Sequence, residues 1–272
     1  MIQEFFKPQT ISEAVRLKEK FKDDIVFMAG GTDVNCRDLA YQIEKVIGIE
    51  QLALNKISKT RNKLTIGAGV TIQEIIDSPK IPGHLSTAAG HFVNRNIRNV
   101  ATIGGNIGSN HSTANLIPIL VALDAELKIG GLAKPISVFE YISQERTHLI
   151  EDIMISSECL AKKYGLQEFS HAANDVSIIT AAVTFNVQNG KLSDVRIAVG
   201  GVSKHVVRLT QLENKLESNR LLAATEIEDL VKNITAPVSD IRGSVEFKKY
   251  MAGVLVSDCI HSAHRKGGRI TS

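Results

Sequence analysis

The sequence predicts a fold that mixes strands with helices and ends in a small β-sheet followed by helices. Three observations carry this. Short apolar runs alternate with amphipathic stretches as far as about Ser156, where the composition changes. Asn189-Gly190, between alternating runs at 177–187 and 192–199, is a strong hairpin signal. From Arg208 onward the apolar residues Leu221, Ala224, Ile227 and Leu230–Val231 recur at helical spacing. At 272 residues the chain has room for about two domains.

The elements follow in order. Thr10-Ile11-Ser12-Glu13 resembles a capping box, and Ala14, Leu17 and Phe21 continue at helical spacing. Residues 25–28 read as a short buried strand running into a glycine loop, and 45–49 as another strand. A third strand is expected at 63–68, then a second capping box at Thr71-Ile72-Gln73-Glu74. Pro79 and Pro82 break the chain before a helix at 84–92. The Asn-, Arg- and Gly-rich stretch 94–108 reads as an extended loop region. A buried helix fits 114–123, with Pro118 tolerated near its first turn. Strands are expected at 125–129 and 150–155, and a last long helix at 245–264.

Composition narrows the function. With 43% hydrophobic and 22% charged residues and a formal charge of +3, nothing calls for nucleic acid. Cys36, Cys159 and Cys259 are widely spaced, which argues against a zinc ribbon, an iron–sulfur cluster or a disulfide framework. The N-terminus does not read as a signal peptide, and the apolar run 116–123 is far short of the ~20 residues of a membrane span, so no membrane association and a cytoplasmic location are expected.

Two glycine loops carry the chemistry: Ala29-Gly30-Gly31-Thr32-Asp33 and Thr102-Ile103-Gly104-Gly105-Asn106. Paired glycines permit positive φ and close approach of backbone to phosphate, and successive N–H groups form an anion nest. Thr32, Thr102 and Asn106 add side-chain donors. Taken singly, a Gly-Gly pair is also the composition of a tight turn. Neither loop has the dinucleotide or P-loop spacing, so two loops of like chemistry point to a nucleotide cofactor gripped from two sides.

With Ile97-Arg98-Asn99 before the second loop, 116–125 after it, and Asp240-Ile241-Arg242-Gly243-Ser244 with Lys249-Tyr250 near the end, the chain resembles the FAD-binding medium subunit of molybdenum hydroxylases, of the xanthine and carbon monoxide dehydrogenase type. The resemblance covers nearly the whole chain. It implies an α+β fold of the FAD-binding PCMH type: two small N-terminal α/β subdomains, about 1–55 and 56–160, then a C-terminal antiparallel sheet plus helical bundle at 161–272. It implies that FAD is held by Met28, Ala29, Gly30, Gly31, Thr32 and Asp33, and by Thr102, Ile103, Gly104, Gly105 and Asn106. Phe92 falls near the flavin, Ile150 packs near the isoalloxazine, and Asn115 faces the ribityl or ribose region. It further implies an oxidoreductase subunit that passes electrons from iron–sulfur clusters on a partner chain through FAD to NAD+ or another acceptor, with a molybdopterin subunit oxidising the substrate. No catalytic side chain and no metal ligand are assigned to this chain.

Two positions depart from the family pattern. Asn115 stands where an aspartate is usual, and Gln167-Glu168-Phe169-Ser170-His171 where the family often has Lys and Arg. These departures keep open a flavin-poor assembly or binding subunit of the same fold; a stand-alone flavin reductase is the other alternative. Among side readings, Cys259, His261 and His264 form the nearest approach to a metal set, with a frayed basic end as the plainer account. His84 and His91 read as core-edge or solvated residues, and His111 either as a surface-loop residue or as one that reaches the cofactor. Arg95 and Arg98 divide between a diphosphate and solvent.

Overall fold

The polar turn at Thr10 opens the first helix, Ile11–Phe21. The Thr10 hydroxyl accepts from the Glu13 N–H at 3.2 Å, but the Glu13 carboxylate takes the N–H of Gln9, one residue before the cap. The computed structural model describes residues 2–36, 42–92, 94–144, 147–172, 175–218 and 221–265. The fold is mixed α and β with antiparallel sheets, and the chain divides into two units: Met1–Asn110 with Ala125–Ser157, and His111–Asp124 with Glu158–Ser272.

In the N-terminal unit, β1 (Glu4–Phe6), β2 (Ile25–Met28) and β3 (Lys45–Gly48) make a parallel sheet in the order β1-β3-β2. The first helix buries Ala14 against a core that includes Ile25, Ile47 and Leu149. The second sheet is antiparallel, with β4 (Ile57–Lys59), β5 (Lys63–Gly67), β6 (Glu126–Ile129), β7 (Ile136–Ser137) and β8 (Ile150–Ser156) in the order β4-β5-β8-β6-β7. Thr71 and Glu74 form a complete capping box on the helix Ile72–Asp77.

The expected extended region at 94–108 is instead two short helices, Arg95–Arg98 and Ile103–Ser109. Asn94 caps the first and Thr102 the second through side-chain oxygens. Glycine is a poor helix former, so periodicity and propensity hide the second helix. Long-range bonds from Ile103 N–H to Val70 O and from Gly104 N–H to Ala68 O anchor its start.

In the C-terminal unit, β9 (Lys163–Phe169), β10 (Ile179–Gln188), β11 (Lys191–Gly200) and β12 (Val207–Arg208) form an antiparallel sheet in the order β12-β11-β10-β9. Asn189 and Gly190 turn the hairpin with φ of 51° and 76°, the left-handed pair of a type I′ turn. Ile179, Ala181, Val183 and Phe185 join a core with Val256, Cys259 and Ile260 of the helix Val245–Arg265. The opposite side of the sheet meets the buried helix Ile117–Ala122, where Thr184 Oγ1 donates to Ala122 O at 2.5 Å. This contact places His111–Asp124 with the C-terminal unit. An ion-pair cluster ties the segment's end to the sheet: Arg196 bridges Asp124 and Asp194 at 2.8 and 2.9 Å, and buried Lys162 meets Asp194 at 2.6 Å.

Strand β9 escapes the sequence reading because Lys163-Tyr164-Gly165-Leu166-Gln167-Glu168 does not alternate. Its Gly165 admits the last helix so closely that a Cβ there would lie 2.3 Å from Cys259 O. Helices Val138–Ser143 and Ser157–Ala161 are likewise absent from the reading, being too short to show a period.

His84 sits in the helix Gly83–Gly90, 4% exposed, and burial lowers its pKa to about 4. The unfolded chain therefore binds a proton between pH 6.5 and 4 that the folded chain refuses. Stability from this group is complete above pH 6.5 and falls as the pH drops. Between pH 8 and pH 5 the loss is expected to be about 2 kcal/mol. Urea unfolding of the wild type and of His84→Gln across this range checks it: the variant is expected to show the shallower pH slope.

Candidate functional site

The first glycine loop leaves the end of β2. Met28 O still accepts from Ile49 N–H at 3.1 Å, and the chain then turns sharply, with Gly31 at φ 71°. Gly31 O is held by both the backbone N–H and the side-chain amide of Asn35, at 3.0 and 2.9 Å, and Cys36 N–H closes onto Asp33 O at 2.9 Å. Among the described residues, the N–H groups of Gly30, Gly31 and Thr32 find no protein acceptor. Three successive unpaired amides around a left-handed glycine have the form of an anion nest.

Gly30 lies directly against the approach to the second loop. A Cβ at this position would fall 1.7 Å from Val100 O and 2.4 Å from Val100 C. The two loops thus meet backbone to backbone, within one unit, at a place where no side chain fits.

The second loop is built differently. An isolated bridge pairs Thr71 with Thr102, and Ile72 N–H donates to Ala101 O at 2.9 Å. Its first-turn amides are all paired: Ile103 to Val70 O, Gly104 to Ala68 O, Gly105 to Thr102 Oγ1 and Asn106 to Thr102 O, at 2.9–3.1 Å. The run of unpaired amides therefore belongs to the first loop. Ile103 and Gly104 are buried, and a Cβ on Gly104 would lie 2.5 Å from Ala68 Cβ. Gly105 is exposed, and a Cβ there meets only Thr102 Oγ1 at 3.0 Å. Asn106 Oδ1 is buried and has no hydrogen-bond partner among the described residues, an open acceptor at the helix start.

The other predicted residues are placed as follows. Half-buried Phe92 lies just beyond the helix Gly83–Gly90, and its carbonyl accepts from Arg98 Nη1 at 3.1 Å. The same guanidinium reaches Gly90 O and, through Nε, Gln73 Oε1, so Arg98 braces this loop. Arg95 is exposed. Ile150 is 5% exposed at the start of β8. Asn115 belongs to the C-terminal unit. Its amide donates to Ser177 Oγ at 2.9 Å and to Glu168 Oε2 at 3.2 Å, while Ser177 Oγ donates to Glu168 Oε2 at 2.6 Å. His111 is an exposed residue whose carbonyl accepts from Ala114 N–H.

Val100, Ala68 and Ser177 are the residues that sequence reasoning missed. Val100 and Ala68 act through backbone, so their side chains give no signal. The suggested metal set is absent. Cys259 is fully buried, its thiol donates to Ala181 O, and burial raises its pKa. Among the described residues no group of three or more His, Cys, Asp or Glu is arranged to hold a metal. The basic tail beyond Arg265 lies outside the described residues, which include no helix long and apolar enough to cross a membrane. A concavity of about 300 Å³ lined by Val15, Lys18, Phe27, Gly130 and Leu149 contains neither loop, and Lys18 there is bonded to the carbonyls of Lys22 and Ile25.

Residues 1–157 match the family model described as the FAD binding domain in molybdopterin dehydrogenase, and residues 165–263 the model of the CO dehydrogenase flavoprotein C-terminal domain. The chain is 32% identical to the uncharacterized protein YgfM of Escherichia coli K12, covering 98% of both chains. It is 27% identical to the nicotine 6-hydroxylase medium subunit of Paenarthrobacter nicotinovorans, over 95% of this chain and 96% of that one. Its fold matches a chain of carbon monoxide dehydrogenase from Hydrogenophaga pseudoflava with a TM-score of 0.88, 21% identity and 97% coverage of each.

Proposed function

Since this chain belongs to the FAD-binding subunits of the molybdenum hydroxylase family, we propose that it is the electron-transfer subunit of a multi-subunit enzyme, linking iron–sulfur clusters on a partner chain to NAD+ or another acceptor. The chain binds FAD and is an oxidoreductase subunit. One observation supports the reading most directly: the unpaired amides of Gly30, Gly31 and Thr32, on a loop pressed against Val100, suit a diphosphate. The open acceptor Asn106 Oδ1 suits a hydroxyl or N–H of the same cofactor.

Bound FAD supplies the exchange between one-electron and two-electron partners. The chain supplies its position. The Gly30–Thr32 amides donate to the diphosphate, with Met28, Ala29 and Asp33 shaping their loop. Thr102 and the helix it caps add a favourable field, exposed Gly105 leaves room for approach, and Asn106 orients the cofactor. Buried Ile103 and Gly104 act by holding that helix in place. Phe92 and Ile150 border the flavin, and Asn115 faces the ribityl or ribose region. The same proposal treats 1–160 as the FAD-binding part and 161–272 as the C-terminal part, and assigns substrate oxidation to a molybdopterin subunit in the cytoplasm.

The test is a visible spectrum of the purified chain before and after anaerobic NADH. A flavin spectrum that bleaches with NADH, together with co-purification of an iron–sulfur chain, is the expected result. Flavin that NADH leaves oxidised would sink the NAD-linked version. A colourless chain that fails to take up added FAD would favour the flavin-poor assembly subunit.

A further inference from the structure

Lys18 sits in the last turn of the helix Ile11–Phe21, half-buried. An ammonium carries three donor hydrogens. Two go to backbone carbonyls, Lys22 O at 2.6 Å and Ile25 O at 2.9 Å. Among the described residues, no acceptor takes the third and no carboxylate lies within ion-pair distance. Burial lowers the pKa of this group, and the field of Asp23 offsets part of that effect.

The same ammonium lines the concavity of about 300 Å³, whose walls carry the apolar side chains of Val15, Phe27, Leu132 and Leu149. At 130 the wall is bare backbone: a Cβ on Gly130 would lie 3.0 Å from Val15 Cγ2 and 3.4 Å from Leu149 Cβ. Exposed Glu19, Lys22 and Asp23 line it as well, where solvent screens their charges. All of these residues belong to the N-terminal unit, and none to either glycine loop.

We propose that this concavity binds a small monocarboxylate with an apolar body, of the class of aromatic or branched aliphatic acids. Lys18 takes the carboxylate with its third hydrogen, and Val15, Phe27 and Leu149 take the body. A carboxylate supplies in one group both the acceptor and the counter-charge that Lys18 lacks. Glu19 and Asp23 disfavour a second negative charge, and the volume is at the small end of ligand sites. The proposal does not depend on how FAD is held.

The test is calorimetric titration of the full chain with benzoate, with FAD in excess so that benzoate does not enter a flavin site. A dissociation constant on the order of 1 mM is expected. Benzamide, which keeps the ring and one acceptor oxygen but not the charge, should bind about tenfold more weakly; equal binding would overturn the role given to Lys18. Lys18→Met keeps the apolar stem and should weaken benzoate about tenfold or more. Because that variant also releases the carbonyls of Lys22 and Ile25, Leu132→Asp is the second check. Position 132 is exposed, so the thermal midpoint should stay near that of wild type. Its new carboxylate should weaken benzoate about tenfold and leave benzamide within about twofold. No binding up to about 20 mM benzoate, or unchanged benzoate affinity in both variants, would overturn the proposal.

Discussion

Gly30→Ala is expected to yield a protein that purifies without FAD and unfolds with at least about 3 kcal/mol less stability than wild type. The reason is geometric. The added methyl would sit 1.7 Å from Val100 O and 2.4 Å from Val100 C, both backbone atoms of a segment tied to Ile72 and Thr71. No rotamer relieves the clash, so the two loops must separate. Separation moves the Gly30–Thr32 amides away from the helix Ile103–Ser109. The flavin-to-protein absorbance ratio and denaturant unfolding check both parts. Gly31→Ala is the milder companion, with about 1–2 kcal/mol of left-handed strain at φ 71°, a close approach of 2.8 Å to the Asn35 side-chain amide and an ordinary contact of 3.5 Å to Met28 Sδ. A folded Gly31→Ala chain with reduced FAD affinity would locate the effect in the nest. Full FAD retention in both variants would show that the first loop does not hold the diphosphate.

The second large effect is expected at Gly104→Val. From sequence this substitution reads as blocking the approach of phosphate. The structure gives it a different cause: the side chain would point inward, with its Cβ 2.5 Å from Ala68 Cβ and 2.7 Å from Ala68 O. It should therefore destabilise the N-terminal unit by about 3 kcal/mol or more, and FAD loss should follow from the disturbed helix start. Gly105→Ala separates the two causes. Position 105 is exposed and crowds only Thr102 Oγ1, so the fold should survive with a modest loss of midpoint while FAD affinity falls. Equal thermal stability of Gly104→Val and wild type would contradict this account.

Much of the fold was legible. Period-two runs and Asn189-Gly190 located β10 and β11, because a half-turn repeat and two positive φ values leave direct marks on composition. The helices Ile11–Phe21 and Ile72–Asp77 announced themselves by Thr10 and Thr71, since the caps are local. The helix Ile103–Ser109 did not, because its glycines deny it a periodic signature and its start depends on carbonyls 30 residues or more away in chain. The same holds for β9, whose Gly165 is explained only by the backbone of Cys259.

By itself the sequence determined the mixed α and β character, the two glycine loops, the hairpin and the resemblance to an FAD-binding family. These features are written in local composition and in motif order. Tertiary structure decided that Gly30 meets Val100, that the run of three unpaired amides among the described residues lies in the first loop, and that Asn115 is hydrogen-bonded to Glu168. Each of these depends on backbone or side-chain atoms brought together from distant parts of the chain, and a contact of that kind imposes no spacing that a linear reading can detect.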